Sequence, residues 1–156
     1  MKEIVGDFQA HGRRFAVVAA RFNEVVTGKL VEGALACLRA HGIAEDDLVV
    51  ACVPGAFEIP IVARRLAASG GFDAVICLGA VIRGETAHFE HVAAQAAEGI
   101  RRVAEDTGVP TIFGVLATET LEQATNRAGG KHGNKGWEAA MAAIETASVL
   151  DQLPKE

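Results

Sequence analysis

Four strand-length runs of almost wholly apolar residues, each followed by a stretch with helical spacing, constrain this chain more than any other feature. They cover residues 14–20 (RFAVVAA), 47–53 (DLVVACV), 73–79 (DAVICLG) and 110–117 (PTIFGVLA). A strand with one wet face alternates apolar and polar residues. These do not alternate, so both faces must be covered, as in a parallel sheet between helices. The intervening segments supply the helices. The first begins at residue 23 or 24 and ends at 41, with Leu30, Ala34 and Leu38 on one face and Gly42 as its stop. The second covers 57–68, with Pro60 in its first turn, where a missing N–H costs little. The third covers 86–106, with Phe89, Val92, Ala96, Ile100 and Val103 at helical spacing, and Gly108 beyond its end. A short helix from 118 or 119 to 128 and a final one over 134–152 flank Gly129 and Gly130.

The expected fold is therefore α/β, a flavodoxin-like three-layer αβα sandwich with a four-stranded parallel core sheet. Residues 1–9 read as a short fifth strand on the sheet edge or on a neighbouring subunit. No repeat or linker divides residues 1–156, so a single domain is expected.

Half of the residues are hydrophobic, which excludes disorder. Aromatics are only 5%, and the apolar content is mostly Ala, Val, Ile and Leu, suited to close helix-on-sheet packing. A net charge of −5 with no basic block argues against nucleic acid. The apolar runs are too short to span a membrane, and the charged start, 1–8, lacks a signal core, so a cytoplasmic protein is expected. Cys37, Cys52 and Cys77 are odd in number, widely spaced and set in apolar runs, and read as buried, reduced thiols.

Ligand sites in such folds lie beyond the carboxyl ends of the strands, here near residues 20–23, 53–57, 80–86 and 117–120. Residues 78–91, LGAVIRGETAHFEH, are the richest segment. A strand enters a loop, Gly84-Glu85-Thr86 opens a helix, and His88 lies in the first turn. Backbone N–H groups at a helix start bind anions, and a histidine beside them moves protons. The blander reading of Thr86 is a helix cap, and of His88 or His91 an ordinary surface residue. The glycines mimic a nucleotide-phosphate loop, but Glu85 stands where that pattern needs lysine. His88 and His91 lack a third ligand of suitable spacing, so no metal is expected. Phe22 follows a strand end, where an exposed ring can stack on a heterocycle. Glu58 is either a dipole-favoured charge or an acceptor for hydroxyls. Arg127 suits either a helix C-terminus or a bidentate phosphate contact.

ARFN at 20–23, VPGAFEIP at 53–60, LGAVIRGETAHFEHV at 78–92, FGVL at 113–116 and EQATNRAGGKHGNKGWEAA at 122–140 occur in one order. Together they resemble the 6,7-dimethyl-8-ribityllumazine synthases of riboflavin biosynthesis, over about 15–150. The resemblance implies condensation of 5-amino-6-(D-ribitylamino)uracil with 3,4-dihydroxy-2-butanone 4-phosphate, without cofactor or metal. It implies that Phe22 stacks on the pyrimidine, with Asn23 and Phe113 also at the pyrimidine and ribityl site. Backbone at Ala56-Phe57 and Ala80-Val81-Ile82 would read the pyrimidine edges, and Glu58 would hold the ribityl chain. Glu85, Thr86, Arg127 and Lys135 would hold the phosphate, His88 would transfer protons, and His91 and Lys131 receive no role. It further implies a homo-oligomer, namely a pentamer. RAGGKHGNKG lacks the longer insertion of members that stop at pentamers, so an icosahedral capsid is expected, with riboflavin synthase as a candidate enclosed partner. A non-catalytic flavin- or lumazine-binding protein and a purely structural cage subunit are the alternatives. The presence of His88 and Arg127 argues against the first.

Overall fold

A computed structural model describes residues 1–156. Four strands, β1 (Phe15–Ala20), β2 (Leu48–Val53), β3 (Ala74–Ile82) and β4 (Thr111–Thr118), form one parallel sheet in the order β2-β1-β3-β4. Five helices accompany it: α1 (Glu24–Ala40), α2 (Ile59–Ala68), α3 (His88–Thr107), α4 (Leu121–Asn126) and α5 (Lys135–Asp151).

The apolar runs are apolar because the sheet is covered twice. Phe15, Val17, Ile76 and Leu78 face α1 and α5, packing on Leu30, Leu38, Ala140 and Ile144. Ala16, Val18, Val75 and Cys77 face α2 and α3, packing on Ile59, Ala63, Ala96 and Ile100. All six residues of β1 and all but the last of β3 are buried. Each fully buried Leu or Ile contributes about 1.5–3 kcal/mol relative to exposure. Small residues let α1 and α5 approach each other. A Cβ on Gly136 would stand 1.9 Å from the Leu30 carbonyl oxygen.

From β1 the chain moves outward to β2, returns past β1 to β3, then moves outward again to β4. The order reverses between β1 and β3, so a crevice opens at their carboxyl ends. Pairing of β3 with β1 stops at Leu78, whereas pairing with β4 continues to Ile82. The last four residues of β3 thus have no partner strand on the crevice side.

The structure corrects several expectations. Helix α3 starts at His88, two residues later than its spacing suggested, because Thr86 is a poor cap. Its Oγ1 receives the His88 N–H at a long 3.4 Å, and Ala87 takes the cap position without a side-chain bond. Residues Ala56–Glu58 form a 3₁₀ turn ahead of α2. Helix α4 is shorter than expected. Thr120 caps it by accepting the Gln123 N–H at 3.1 Å. The glycine-rich stretch after it is a hairpin of β5 (Ala128–Gly130) and β6 (Gly133–Asn134). Cys52 is exposed, unlike Cys37 and Cys77, because β2 is an edge strand whose outer part no helix covers on that face. Residues 1–9 add no strand to this chain's sheet. They run along α5 instead, where the Asp7 N–H donates to Ser148 Oγ at 2.9 Å and Gln152 Nε2 to the Val5 carbonyl at 2.8 Å. No helix is long and apolar enough to cross a membrane.

Candidate functional site

The crevice at the strand reversal is an open cleft of about 760 Å³, a size common for small-molecule sites. Three strand ends build it. After β1, the N–H groups of Arg21 and Phe22 donate to the carbonyls of Val53 and Pro54 at 2.8 and 3.0 Å. This ties the loop to the end of β2 and turns the Phe22 ring outward, 72% exposed. Asn23 then adopts the left-handed region at φ 64°, and its Nδ2 donates to the Ala80 carbonyl at 2.8 Å. After β2, Ala56 is buried while Phe57 is 61% exposed and Glu58 faces the cleft beside it. After β3, Ala80, Val81 and Ile82 line the floor.

The third wall is the loop Gly84–Ala87 and the first turn of α3. The backbone N–H groups of Glu85 and Thr86 donate to no acceptor within the chain. They lie just ahead of the positive end of a twenty-residue helix. Unsatisfied N–H groups at such a place form an anion cradle. His88 opens the helix and lines the cleft together with Phe89, His91 and Val92. Sequence reasoning read Phe89 and Val92 only as helix face and left His91 without a role. The helical spacing that placed them on α3 could not show that their face overhangs the strand ends.

Phe113, Arg127 and Lys135 do not join this cleft. They line a second one, of about 610 Å³, on the outer side of β4, with Thr118, Gln123 and His132. Phe113 is the third residue of β4 and is 42% exposed. Arg127 caps α4, and its carbonyl accepts the Lys135 N–H at 2.8 Å across the hairpin. His132, whose N–H donates to the Asn126 carbonyl at 2.8 Å, was not singled out from the sequence. Its place in GGKHG, between two glycine-permitted turns, was the available signal. The expected set therefore divides within one chain. An aromatic and carboxylate cleft carries the cradle and His88, and a cationic cleft carries Phe113.

No group of three or more His, Cys, Asp or Glu side chains is gathered as a metal site. Burial pushes the Cys37 thiol up to about 11 and the Cys77 thiol higher, so neither is a nucleophile near neutral pH.

What the first cleft can do follows from its parts. Two exposed rings accept a flat heterocycle between or upon them. Glu58 accepts from hydroxyls, the N–H cradle holds an anion, and His88 stands beside that anion able to move a proton. The family model described as 6,7-dimethyl-8-ribityllumazine synthase matches residues 12–151.

Proposed function

The chain belongs to the 6,7-dimethyl-8-ribityllumazine synthase family, and from that premise we propose how its residues divide the work. The family condenses 5-amino-6-(D-ribitylamino)uracil with 3,4-dihydroxy-2-butanone 4-phosphate. The product is 6,7-dimethyl-8-ribityllumazine, and phosphate and water are released. The observation that carries the residue assignments is the joining, in one cleft, of the Phe22 and Phe57 rings, Glu58, Thr86 and His88, with Glu85 next to Thr86 in the loop but outside the cleft lining.

Phe22 stacks on the pyrimidine, Asn23 fixes the turn that presents it, and the backbone at Ala56-Phe57 and Ala80–Ile82 reads the ring edges. Glu58 accepts hydrogen bonds from the ribityl hydroxyls. Glu85 and Thr86 hold the butanone phosphate through backbone N–H groups. The amine of the pyrimidine attacks the ketone, and water leaves as the imine forms. Phosphate is then eliminated, and ring closure expels a second water. His88 delivers and removes the protons these steps require. Holding both reactants in register supplies much of the acceleration.

Phe113, Arg127 and Lys135 complete the site from an adjacent subunit, since they lie on the other side of β4 in their own chain. A guanidinium and an ammonium there add charge to the phosphate, and Phe113 closes over the pyrimidine. Members of the family are homo-oligomers that act on small molecules. We assign this chain to a five-fold ring, assembled further into a capsid in the cytoplasm. Phe22, Val25, Phe57 and Ile61, each more than 60% exposed, supply apolar surface for the ring contact. Residues 1–9 would then pair with a neighbour's sheet. Light scattering on the purified protein tests the assembly, and a particle no larger than a pentamer would exclude the capsid.

The activity test supplies both substrates and follows lumazine by its absorption together with released phosphate. Equal molar yields of the two are expected. Tight binding of the pyrimidine without product would instead support the non-catalytic binding protein.

A further inference from the structure

Arg83 lines neither cleft, yet it joins the walls of both. It is the last residue before the loop Gly84–Ala87. Its Nη1 lies 2.6 Å from Glu90 Oε1, and its guanidinium carbon sits 4.7 Å from the centre of the Phe89 ring. Phe89 and Glu90 immediately follow His88 in the first turn of α3. One side chain therefore bridges the two ends of the anion loop. On its other side, Arg83 Nε lies 2.6 Å from Glu119 Oε2, and its backbone N–H donates to the Thr118 carbonyl at 2.9 Å. Glu119 in turn donates its N–H to Gln123 Oε1 at 2.9 Å. The clasp is thus anchored to the turn between β4 and α4.

Residues Gly84–Ala87 are held by only two hydrogen bonds, both long, with the His88 N–H donating to Thr86 Oγ1 and the His91 N–H donating to the Ala87 carbonyl at 3.4 Å each. The loop's shape depends on where its ends are held. Resting on the reading that this loop takes the butanone phosphate, we propose that Arg83 is a positioning residue that holds the loop and His88 for that substrate. It acts through geometry, not charge. Two carboxylates bracket the guanidinium, so the cluster carries a net negative charge and offers an anion no attraction of its own. A single exposed ion pair does little. Here a planar cation is fixed on three sides, by two carboxylates and a ring, a geometry that arginine allows and lysine does not.

The test is steady-state kinetics with each substrate varied in turn, together with thermal denaturation. Arg83→Ala is expected to raise KM for the butanone phosphate about tenfold and to leave KM for the pyrimidine within about twofold. Glu90→Gln and Glu119→Gln should each reproduce part of that shift. The double variant Arg83→Ala/Glu90→Gln should be no worse than Arg83→Ala, and Arg83→Lys should recover only a minor part. If Arg83 touched the phosphate directly, Glu90→Gln would release its charge and lower that KM, which would overturn the clasp. Parallel rises in both KM values with a lower melting temperature would also overturn it, as a general loss of stability. A wild-type protein that makes no lumazine would defeat the underlying reading. An active wild type matched by Arg83→Ala would defeat the clasp alone.

Discussion

The Asn23 side-chain amide donates to the Ala80 carbonyl at 2.8 Å while its own backbone holds the left-handed conformation at φ 64°. The two facts belong together. β1 and β3 stop pairing at Leu78, and the amide replaces the missing ladder bond at the mouth of the cleft. The left-handed turn aims Phe22 outward. Asn23→Ala loses the hydrogen bond and adds left-handed strain, about 2 kcal/mol in all. Asn23→Gly loses only the bond and should cost about 1 kcal/mol. Denaturant midpoints at one fixed protein concentration check the order, and a glycine variant less stable than the alanine one would refute it.

Gly136→Ala should be among the most damaging single-methyl changes in the chain. The added Cβ would meet the Leu30 carbonyl oxygen at 1.9 Å, a backbone atom on the facing helix, so α1 and α5 must separate. Overpacking of this kind costs about 1–3 kcal/mol or more. At Gly33 the added Cβ instead meets the Asn134 side chain, which caps α5 and can move. That substitution should cost about 1 kcal/mol, the usual value of a lost cap. Melting temperatures that reverse this order would contradict the packing described.

These two sites show what could and could not be read from the sequence. The sandwich was legible because apolar runs without alternation leave few options but a doubly covered parallel sheet. The strand ends, and so the cleft of Phe22, Glu58 and His88, followed from that topology. The start of α3 was misplaced because Thr86 looks like a cap by type, and only its geometry shows a weak bond two residues on. Cys52 was misread because an apolar run does not reveal that its strand lies at an edge. The division of Phe113 from the cradle was legible, because Phe113 stands near the start of its strand, away from the carboxyl-end cleft. The resemblance placed Arg127 with it, but spacing alone did not show how Arg127 comes to lie apart. That depends on α4 and the β5–β6 hairpin packing outside β4.

Acid should remove the contribution of the Arg83 clasp. The hydrogen bond from Arg83, ahead of the other influences, holds the Glu90 carboxyl below its ordinary 4.5. A carboxylate depressed in the folded state stabilises it fully above the ordinary value, and that stabilisation disappears as pH falls through the lowered one. The stability gap between wild type and Glu90→Gln should thus be present near neutrality and close as pH drops below 4.5. Urea midpoints across a pH series measure it, and a gap that widened in acid would contradict the pairing.

His88→Ala should slow turnover while leaving pyrimidine binding nearly intact. General acid–base groups contribute about 10²–10⁴-fold, and the low end or less is expected because the condensation proceeds once its partners are held. His91 lines the same cleft one turn further along α3, so His91→Ala is the matched control. Wild-type kinetics for His88→Ala beside a damaged His91→Ala would reassign the proton transfer.

The last expectation concerns where one active site ends. Phe113 and Arg127 line a cleft distinct from the one holding Phe22 and His88, and β4 lies between the two. If each site is shared, a variant damaged in the first cleft and one damaged in the second can rescue each other. Phe22→Asp/His88→Ala and Arg127→Ala, unfolded together and co-refolded, should form mixed rings. Wherever an intact first cleft meets an intact second cleft across an interface, a working site results. Each parent refolded alone lacks any such interface and should stay at its own low activity. Mass spectrometry reports the subunit mixture and the lumazine assay its activity. Mixed rings no more active than the parents would mean that each chain completes its site alone, with Arg127 reaching the phosphate only through a rearrangement of α4 and the hairpin.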